Sequence, residues 1–275
     1  MKYSRERADI AIVTVSTNKL DEVCLTSVRR CLESTSLCVK FIVVDNASTQ
    51  MDAHAYVKSH VPGAIVILRE SNYGFGSSCN RGAQEVDADY YFFLNPDTRM
   101  DDPSMLERLY AFLRAYSKVG IVAPKILYMD ERVQETCRRF PSWYTPLIQR
   151  TSIIDEKKAT AHRREFLMED FGHHKRRLVD WVQGSAFMID GTLFHQLGGF
   201  DERYFMYYED VDLCRQSWEA GRPVYYLPEA VMYHAYAKDS AKGDGMFSQL
   251  VHNRQTRAHI SSWIKYSLKW FGRRI

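Results

Sequence analysis

The chain has 275 residues, of which 45% are hydrophobic and 26% are charged. This length accommodates one large domain or two small ones, each with a buried core. The chain contains 37 Lys and Arg residues and 34 Asp and Glu residues, a net charge of +3. This net charge is too small for a dedicated nucleic-acid-binding protein, so we expect no nucleic-acid partner.

Strand and helix patterns alternate through the first half of the chain. Strands are predicted at 10–15, 41–44, 64–68, 90–94 and 120–123. The first three are rich in Val and Ile, as strands buried on both faces are. Helices are predicted between them, at 18–34, 52–60, 77–88 and 103–116. This alternation is typical of βαβ crossovers, so we predict an α/β fold with a mostly parallel central sheet flanked by helices.

The second half is less regular. The mixed-charge stretch 155–177 is either a mobile connection or an inserted helix whose charges are solvated. Further strands are predicted at 178–183, 186–189 and 224–227, and further helices at 192–197 and 209–220.

Positive charge is concentrated at the carboxyl-terminal end of the chain. Residues 245–275 contain six Lys or Arg residues and no acid, whereas the first 244 carry 31 basic and 34 acidic groups. No apolar run approaches the roughly 18 residues of a membrane span, and the first residues lack a signal-peptide core. We therefore expect a cytoplasmic chain.

Polar residues follow three of the predicted strands. Asp45 follows the second strand, Asn72 and a Gly-rich turn follow the third, and Asn95-Pro96-Asp97 follows the fourth. Turns are polar in general, but three such clusters exceed what turn chemistry requires. Ligands of open α/β sheets bind beyond the carboxyl ends of the strands, so these clusters predict a binding site at that edge.

The Gly-rich turn and the Asn-Pro-Asp turn each have two interpretations. The glycines of 74–76 do not match a dinucleotide fingerprint; the helix near Ser77, with Arg81, could meet a phosphate, or the turn could simply cap that helix. Asn95 and Asp97 could share a divalent cation with substrate phosphates, or could form an ordinary Asx turn.

Two adjacent acids, Glu209 and Asp210, begin a predicted helix after the aromatic run 204–208. Acids in a first helical turn commonly complement the helix dipole. Flanking aromatic residues, however, predict partial burial, which raises the basicity of a carboxylate and suits a general base. His234 follows a strand, and a lone histidine is more often structural than a metal ligand.

Taken together in chain order, these motifs resemble the inverting family 2 glycosyltransferases of the GT-A fold, and in particular bacterial rhamnosyltransferases that use dTDP-L-rhamnose. The motifs are Val13-Thr14, 45–48, 72–82, 94–97, Arg138-Arg139-Phe140-Pro141, Gly184-Ser185, 198–201 and 208–213, within about 9–234. The resemblance implies a GT-A domain at 1–244, with a nucleotide-binding half at about 8–125 and an acceptor half at about 126–244.

The resemblance also implies a role for individual residues. Asp210, with Glu209 beside it, would be the catalytic base, and Asp97 and His234 would bind Mg²⁺ or Mn²⁺. Donor-binding residues would be Thr14, Asp45, Asn72, Gly76, Arg81, Asn95 and Gly184. The first acid of the familiar metal motif is here the neutral Asn95, which would leave less negative charge at the cation.

The implied reaction is a single displacement at C1 of a nucleotide sugar. The cation would stabilise the leaving diphosphate, and Asp210 would take the acceptor proton. Inversion of dTDP-L-rhamnose would give an α-L-rhamnoside on a lipid-linked or polysaccharide acceptor. Another dTDP- or UDP-hexose donor, or a catalytically silent nucleotide-sugar-binding scaffold, would fit the same motifs. A nucleotidylyltransferase fits less well, because 16–19 is not a Gly-rich basic loop.

The carboxyl-terminal segment 245–275 is predicted to form a basic amphipathic helix. Its apolar stripe comprises Ile260, Trp263, Ile264, Leu268, Phe271 and Ile275, flanked by Tyr266 and Trp270; its cations are Lys265, Lys269, Arg273 and Arg274. Such a helix either binds an anionic membrane surface or packs its stripe on the domain. We expect peripheral association with the inner face of the cytoplasmic membrane.

Overall fold

The computed structural model describes residues 7–145, 148, 155–235 and 253–273. The strands are β1 (Arg7–Ser16), β2 (Val39–Asp45), β3 (Ile65–Leu68), β4 (Asp87–Leu94), β5 (Thr98–Arg99), β6 (Ile121–Leu127), β7 (Cys137–Arg138), β8 (Arg177–Val179), β9 (Trp181–Val182), β10 (Ala186–Asp190) and β11 (Val224–His234). The helices are α1 (Glu22–Ser34), α2 (Ala53–His60), α3 (Phe75–Ala83), α4 (Met105–Ala115), α5 (Glu156–Phe166), α6 (Gly191–Gln196), α7 (Glu209–Glu219) and α8 (Arg254–Lys269).

Nine of these strands form one sheet in the order β3-β2-β1-β4-β10-β6-β11-β5, with β8 also paired to β11. Strands β3, β2, β1 and β4 run parallel, as do β6 and β11. Strand β10 lies antiparallel between β4 and β6. The sheet is therefore mostly parallel, as predicted, and a strand from the second half of the chain joins its two parallel groups.

Alternating side chains of the strands build a core on each face of the sheet. On β1, Ile10 and Ile12 belong to the core that includes residues of α1, α2 and α4, whereas Ala11 and Val13 belong to the core that includes residues of α3, α6 and α7. Because successive side chains of a strand point to opposite faces, a continuous apolar strand supports both layers. This three-layer arrangement fixes the carboxyl ends of β1, β2 and β4 along one edge.

The third strand differs from its prediction. We expected β3 to be buried on both faces, but within the described residues it is an edge strand paired with β2, and Leu68 is 60% exposed. An isolated Val- and Ile-rich run cannot distinguish a central strand from an edge strand, since strand order is a tertiary property. For the stretch 155–177 we predicted either a mobile connection or an inserted helix. The structure contains a helix there, α5.

Helix α8 packs against the domain mainly through residues beside the predicted apolar stripe, together with the partly buried Trp263 of that stripe. Its buried residues are Thr256, Ser262 and Tyr266, with Trp270 just beyond its end. The predicted boundary between 244 and 245, together with Arg274 and Ile275 of the predicted basic helix, lies outside the described residues. None of the helices in the described part of the chain combines the length and apolarity that a membrane crossing requires.

Candidate active site

Asp97 and His234 meet although 137 positions separate them. Strand β5 pairs antiparallel with the end of β11, so that His234 lies opposite Thr98, and the N–H of Ala235 donates to the carbonyl of Asp97 at 2.9 Å. In this register His234 Nε2 lies 3.1 Å from Asp97 Oδ1. A two-residue strand that no sequence pattern predicted therefore brings the two expected metal ligands together.

Gln134 sets the orientation of the His234 ring. The Gln134 Nε2 group donates to the His234 carbonyl at 2.7 Å, and its Oε1 faces His234 Nδ1 at 3.1 Å. An amide oxygen only accepts, so Nδ1 carries the hydrogen of this contact. Nε2 is then the ring nitrogen that faces the carboxylate of Asp97.

Either a proton or a metal cation can bridge His234 Nε2 and Asp97 Oδ1, which lie 3.1 Å apart. This arrangement fits a divalent metal, because an imidazole oriented by a neighbouring amide and a carboxylate oxygen are a common ligand pair. Among the described residues no group of three or more His, Cys, Asp and Glu is arranged to hold a metal. Asp97 and His234 would thus leave most coordination positions to substrate phosphates and water.

Lys19, in the loop after β1, supplies a positive charge at the same carboxylate. Its Nζ lies 2.8 Å from Asp97 Oδ2. Burial acts to raise the pKa of Asp97, but the hydrogen bonds and charges of His234 and Lys19 outweigh burial and hold that pKa below its ordinary value. Asp97 is therefore an anchored anion at neutral pH.

Glu209 and Asp210 occupy the first turn of α7. Asp210 Oδ2 accepts the N–H of Gly184 at 2.9 Å, and Oδ1 accepts the N–H of Val211 at 2.8 Å. The carboxylate is held in place by the backbone.

The two acids differ in basicity. Burial and the neighbouring Asp210 raise the pKa of Glu209 well above its ordinary value, and Glu209 Oε2 has no hydrogen-bond partner among the described residues. Burial also raises the pKa of Asp210, but the two backbone N–H groups and the charge of Arg138 oppose that rise. Of the two acids, Glu209 therefore holds a proton more strongly, and negative charge is more favourable on Asp210.

A strained turn presents these acids. Tyr207 and Tyr208 have φ angles of 68° and 70°, a left-handed conformation that non-glycine residues rarely adopt. The ring of His259 on α8 lies 5.1 Å from that of Tyr207, and Tyr266 lies 5.2 Å from Tyr208. Such strain persists only where packing enforces it, and here α8 is part of that packing.

A cavity of about 310 Å³ unites the two groups of acids. Six predicted site residues line it: Asn95, Asp97, Gly184, Glu209, Asp210 and His234. Residues that the sequence did not single out also line it, including Lys19, Gln183 and Gln255. Gln255 comes from the first turn of α8, so the carboxyl-terminal helix contributes to this wall.

Three predicted donor-binding residues lie elsewhere along the sheet edge. Asp45 ends β2, and Thr14 is buried within β1. Among the described residues, Asp45 Oδ1 and Thr14 Oγ1 are buried without hydrogen-bond partners. Asn72 accepts hydrogen bonds from Asn46 Nδ2 at 2.9 Å and from the N–H of Gly74 at 3.0 Å, and so braces the turn between β3 and α3.

The remaining two predicted donor-binding residues do not line the cavity. Arg81 forms an ion pair with Glu85 one turn along α3, with N···O at 2.9 Å. Gly76 packs against the domain: a Cβ there would lie 3.0 Å from the Cβ of Phe200. At the start of α3, the N–H of Phe75 donates to the Phe205 carbonyl at 3.1 Å. This N–H group is therefore already hydrogen-bonded within the protein.

The sequence analysis did not predict that Lys19, Gln134 and Gln255 belong to the site. Lys19 lies in the loop after the first strand, where a search for cations beside strand ends could have found it. Gln134 and Gln255 carry no motif: Gln134 contacts His234 across 100 positions, and Gln255 reaches the cavity wall from α8.

The family model Glycosyl transferase family 2 matches residues 11–176, more than half of the chain. The chain is 29% identical to the N-acetylglucosaminyl-diphospho-decaprenol L-rhamnosyltransferase of Mycobacterium tuberculosis, covering 84% of this chain and 79% of the relative. It is 27% identical to the rhamnosyltransferase WbbL of Escherichia coli, covering 82% and 81%.

A solved structure of GalNAc-T7 with UDP, GalNAc and Mn²⁺ superposes with a TM-score of 0.67 at 14% sequence identity. The match covers 98% of this chain and 49% of that longer chain. The architecture is that of the GT-A glycosyltransferases, as predicted. The chain belongs to glycosyl transferase family 2, which confirms the resemblance drawn from its motifs.

Proposed function

We propose that this enzyme transfers L-rhamnose from dTDP-L-rhamnose to a hydroxyl group of a lipid-linked or polysaccharide acceptor, in cell-surface glycan synthesis. The observation that carries the proposal is that Asp210 and the Asp97–His234 pair line one cavity. Two relatives named as rhamnosyltransferases, each matching over four fifths of this chain, support the choice of sugar.

Nucleotide recognition falls to the first half of the chain, about 8–125, and acceptor recognition to about 126–244. Asp45 and Thr14 would receive the nucleobase, because a buried carboxylate oxygen without a partner, Asp45 Oδ1, can accept a base N–H. Asn72, Gly76 and Arg81 would act from the turn and helix beside it, Asn72 by holding that turn in shape.

Asp97 and His234 would hold Mg²⁺ or Mn²⁺ on the donor diphosphate, with Asn95 and Gly184 in the same wall. The bound cation would act there as a Lewis acid that stabilises the departing diphosphate. Lys19 is within reach of the same phosphates, because its ammonium group already lies on Asp97. Together these side chains fix where the negative charge of the leaving group accumulates.

Asp210 would remove the proton of the acceptor hydroxyl as its oxygen attacks C1. The N–H groups of Gly184 and Val211 hold the carboxylate in place, and burial, together with the neighbouring Asp210, raises the pKa of Glu209 and so disfavours a second negative charge there. General-base assistance of this kind contributes about 10²–10⁴-fold in rate. A single displacement inverts C1, so the product would be an α-L-rhamnoside.

The test is a panel of nucleotide sugars, supplied with Mn²⁺ or Mg²⁺ and an acceptor, with release of nucleoside diphosphate as the readout. We expect turnover with dTDP-L-rhamnose, and loss of that turnover in Asp210→Asn. Asp130→Asn is the matched control, since Asp130 pairs with Arg132 on an exposed turn.

Other results would select an alternative. Faster turnover with another dTDP- or UDP-hexose would replace the donor and keep the chemistry. Binding of a nucleotide sugar without turnover of any member of the panel would indicate a silent scaffold. Turnover that survives Asp210→Asn would remove the base assignment.

We also propose that α8 attaches the enzyme to an anionic membrane surface on the cytoplasmic side. The apolar residues Ile264, Leu268 and Phe271 are 47%, 74% and 84% exposed, while the opposite face of α8 is packed on the domain. Exposed Trp143 lies beside this surface, because its carbonyl accepts the Trp263 indole N–H at 3.1 Å. Exposed apolar residues beside Arg257 and Arg273 are suited to an interfacial helix.

The lysines of α8 contribute less positive charge to membrane binding than the sequence indicated. Lys269 is paired with Asp201 and Asp212, and Lys265 Nζ donates to the Arg203 carbonyl. Because α8 also lines the cavity, its deletion would damage the site. We therefore expect the double substitution of Leu268 and Phe271 by Glu to reduce partition into phosphatidylglycerol vesicles at least about tenfold. The matched control is Leu68→Glu on edge strand β3; equal partition of both variants would refute the proposal.

A further inference from the structure

The loop that follows β1 is fixed at one end to the turn after β2. The side-chain oxygen of Asn18 accepts the N–H groups of Thr49 and Gln50 at 2.7 and 2.9 Å. The N–H of Asn18 donates to Ser48 Oγ at 2.7 Å, and the N–H of Ser48 donates to Asp45 Oδ2 at 3.1 Å. The loop therefore contacts the turn that carries Asp45, the residue proposed to receive the nucleobase.

The same loop is fixed at its other end to the turn that carries Asp97. The N–H of Asp21 donates to the Pro96 carbonyl at 3.0 Å. Between these two ends, the Lys19 carbonyl accepts the Ser16 hydroxyl group at 3.0 Å, at the carboxyl end of β1. A nucleotide that reaches from the nucleobase position to the metal ligand Asp97 has to place its phosphates beside this loop, and so beside Lys19.

The ammonium group of Lys19 shares one carboxylate with the proposed metal position. Lys19 Nζ lies 2.8 Å from Asp97 Oδ2, and His234 Nε2 lies 3.1 Å from Asp97 Oδ1, so both oxygens of Asp97 have partners. The side chain of Asp97 is 13% exposed, whereas that of Lys19 is 47% exposed. The carboxylate is thus held inside the cavity, while the flexible stem of the lysine can move its ammonium group without a change in the backbone.

Charge decides how well these ligands bind a divalent cation. A metal binds the neutral form of an imidazole, and the amide of Asn95 is uncharged, so of Asp97, His234 and Asn95 the carboxylate supplies the formal negative charge. The ammonium group of Lys19 cancels that charge and repels a second cation. A diphosphate adds several negative charges, enough for both the ammonium group and a metal.

We infer that Lys19 is an exchangeable cation: its ammonium group pairs with Asp97 before the nucleotide binds and moves to the diphosphate afterwards, which leaves Asp97 to the metal. The inference rests on the proposed function, because it assigns how donor and metal enter one site. No covalent bond changes in this exchange. One ion pair is replaced by two, so the nucleoside diphosphate and the metal should each strengthen the binding of the other.

Two affinities of the full-length chain test this exchange without turnover. The first is the affinity for Mn²⁺ alone, followed by electron paramagnetic resonance. The second is the affinity for dTDP or UDP at saturating Mg²⁺, measured by calorimetry with whichever of the two the wild type binds more tightly. Lys19→Gln should bind Mn²⁺ alone about tenfold more tightly, because the competing charge is gone, and the nucleoside diphosphate about tenfold more weakly, because a phosphate partner is lost.

Opposite changes in the two affinities distinguish exchange from damage to the site, which would weaken both. Lys19→Arg retains the positive charge and should keep the affinity for Mn²⁺ alone within about threefold of wild type. The matched control is Lys118→Gln, at an exposed lysine between α4 and β6, and it should change neither affinity.

An affinity for Mn²⁺ that is unchanged or weaker in Lys19→Gln would overturn the inference, and so would an unchanged affinity for the nucleoside diphosphate. Binding of Mn²⁺ too weak to measure in both proteins counts as unchanged. Neither measurement depends on the transferred sugar or on Asp210. Failure of the donor panel with dTDP-L-rhamnose would therefore count against the proposed donor alone, whereas opposite shifts in Lys19→Gln support the exchange whichever sugar is transferred.

Discussion

Two groups of acids face the same cavity and have opposite surroundings. Asp97 lies against His234 and Lys19, whose charges and hydrogen bonds overcome its burial and lower its pKa. Glu209 and Asp210 lie behind the strained Tyr207–Tyr208 turn, where burial raises the pKa of both. One group is therefore anchored as an anion, and the other is poised to accept a proton.

The difference shows that the residue type alone does not set the role of a carboxyl group. Cations close to Asp97 suit it to hold positive charge on a diphosphate. The Asp210 carboxylate accepts hydrogen bonds from two backbone N–H groups, which are uncharged. They stabilise its negative charge less than a cation would, so Asp210 keeps more of its basicity. If this comparison is correct, substitutions on the two sides of the cavity should affect different quantities.

The largest effect is expected for Asp210→Asn. Loss of the general base should lower kcat by about 10²–10⁴-fold, whereas affinity for Mn²⁺ should stay within about twofold of wild type, since the metal ligands are untouched. Steady-state kinetics at saturating acceptor and Mn²⁺ titration followed by electron paramagnetic resonance provide the two values. A loss of Mn²⁺ affinity equal to the loss of kcat would mean that the two sides are not separate.

The converse effect is expected for Gln134→Leu. Without the amide oxygen at Nδ1, the His234 ring can adopt the other tautomer and orientation, so Mn²⁺ affinity should fall by about 10–100-fold. The same resonance titration measures it, and Gln84→Leu, an exposed residue at the end of α3, is the control. Unchanged Mn²⁺ affinity in Gln134→Leu would remove His234 from the proposed metal site.

On the base side, α8 should matter for stability. Lys269 Nζ lies 2.7 Å from the fully buried Asp212, which also accepts from the Trp270 indole at 2.7 Å. Lys269→Met should lower the free energy of unfolding by about 2–3 kcal/mol, because it removes one partner of a buried charge. Urea unfolding measures this change. Lys265→Met, at an exposed position on the same helix, should cost less than about 1 kcal/mol; equal losses would contradict the anchoring role of Lys269.

The smallest effect is a shift of the pH profile. Asp210 must be ionised to act, so kcat/KM should fall as the pH drops through its raised pKa, above the range of an ordinary aspartate. The charge of Arg138 lowers the pKa of Asp210, so in Arg138→Gln the acid limb should move to higher pH. Arg139→Gln should leave the limb in place. A limb that stays put or moves down in Arg138→Gln would show that Asp210 does not control it.

The sequence by itself determined the layered α/β architecture and which residues are chemically competent. Continuous apolar strands such as β1, and polar turns such as the one ending at Asp97, follow from local periodicity and turn chemistry, which neighbouring residues dictate. Adjacent acids at the start of α7 were predictable for the same reason. Strand order was not, and β3 was wrongly expected to be buried.

Only the tertiary structure decided which of those residues meet. The contact between Asp97 and His234 depends on a two-residue pairing of β5 with β11, and Arg138 is held near Asp210 through the equally short β7–β9 ladder. Such brief strands leave no periodic pattern in the chain. The amphipathic pattern of α8 could be predicted from the sequence. Which face of the helix is buried could not, because it depends on contacts with Asp212 and Tyr208, which lie far away in the sequence.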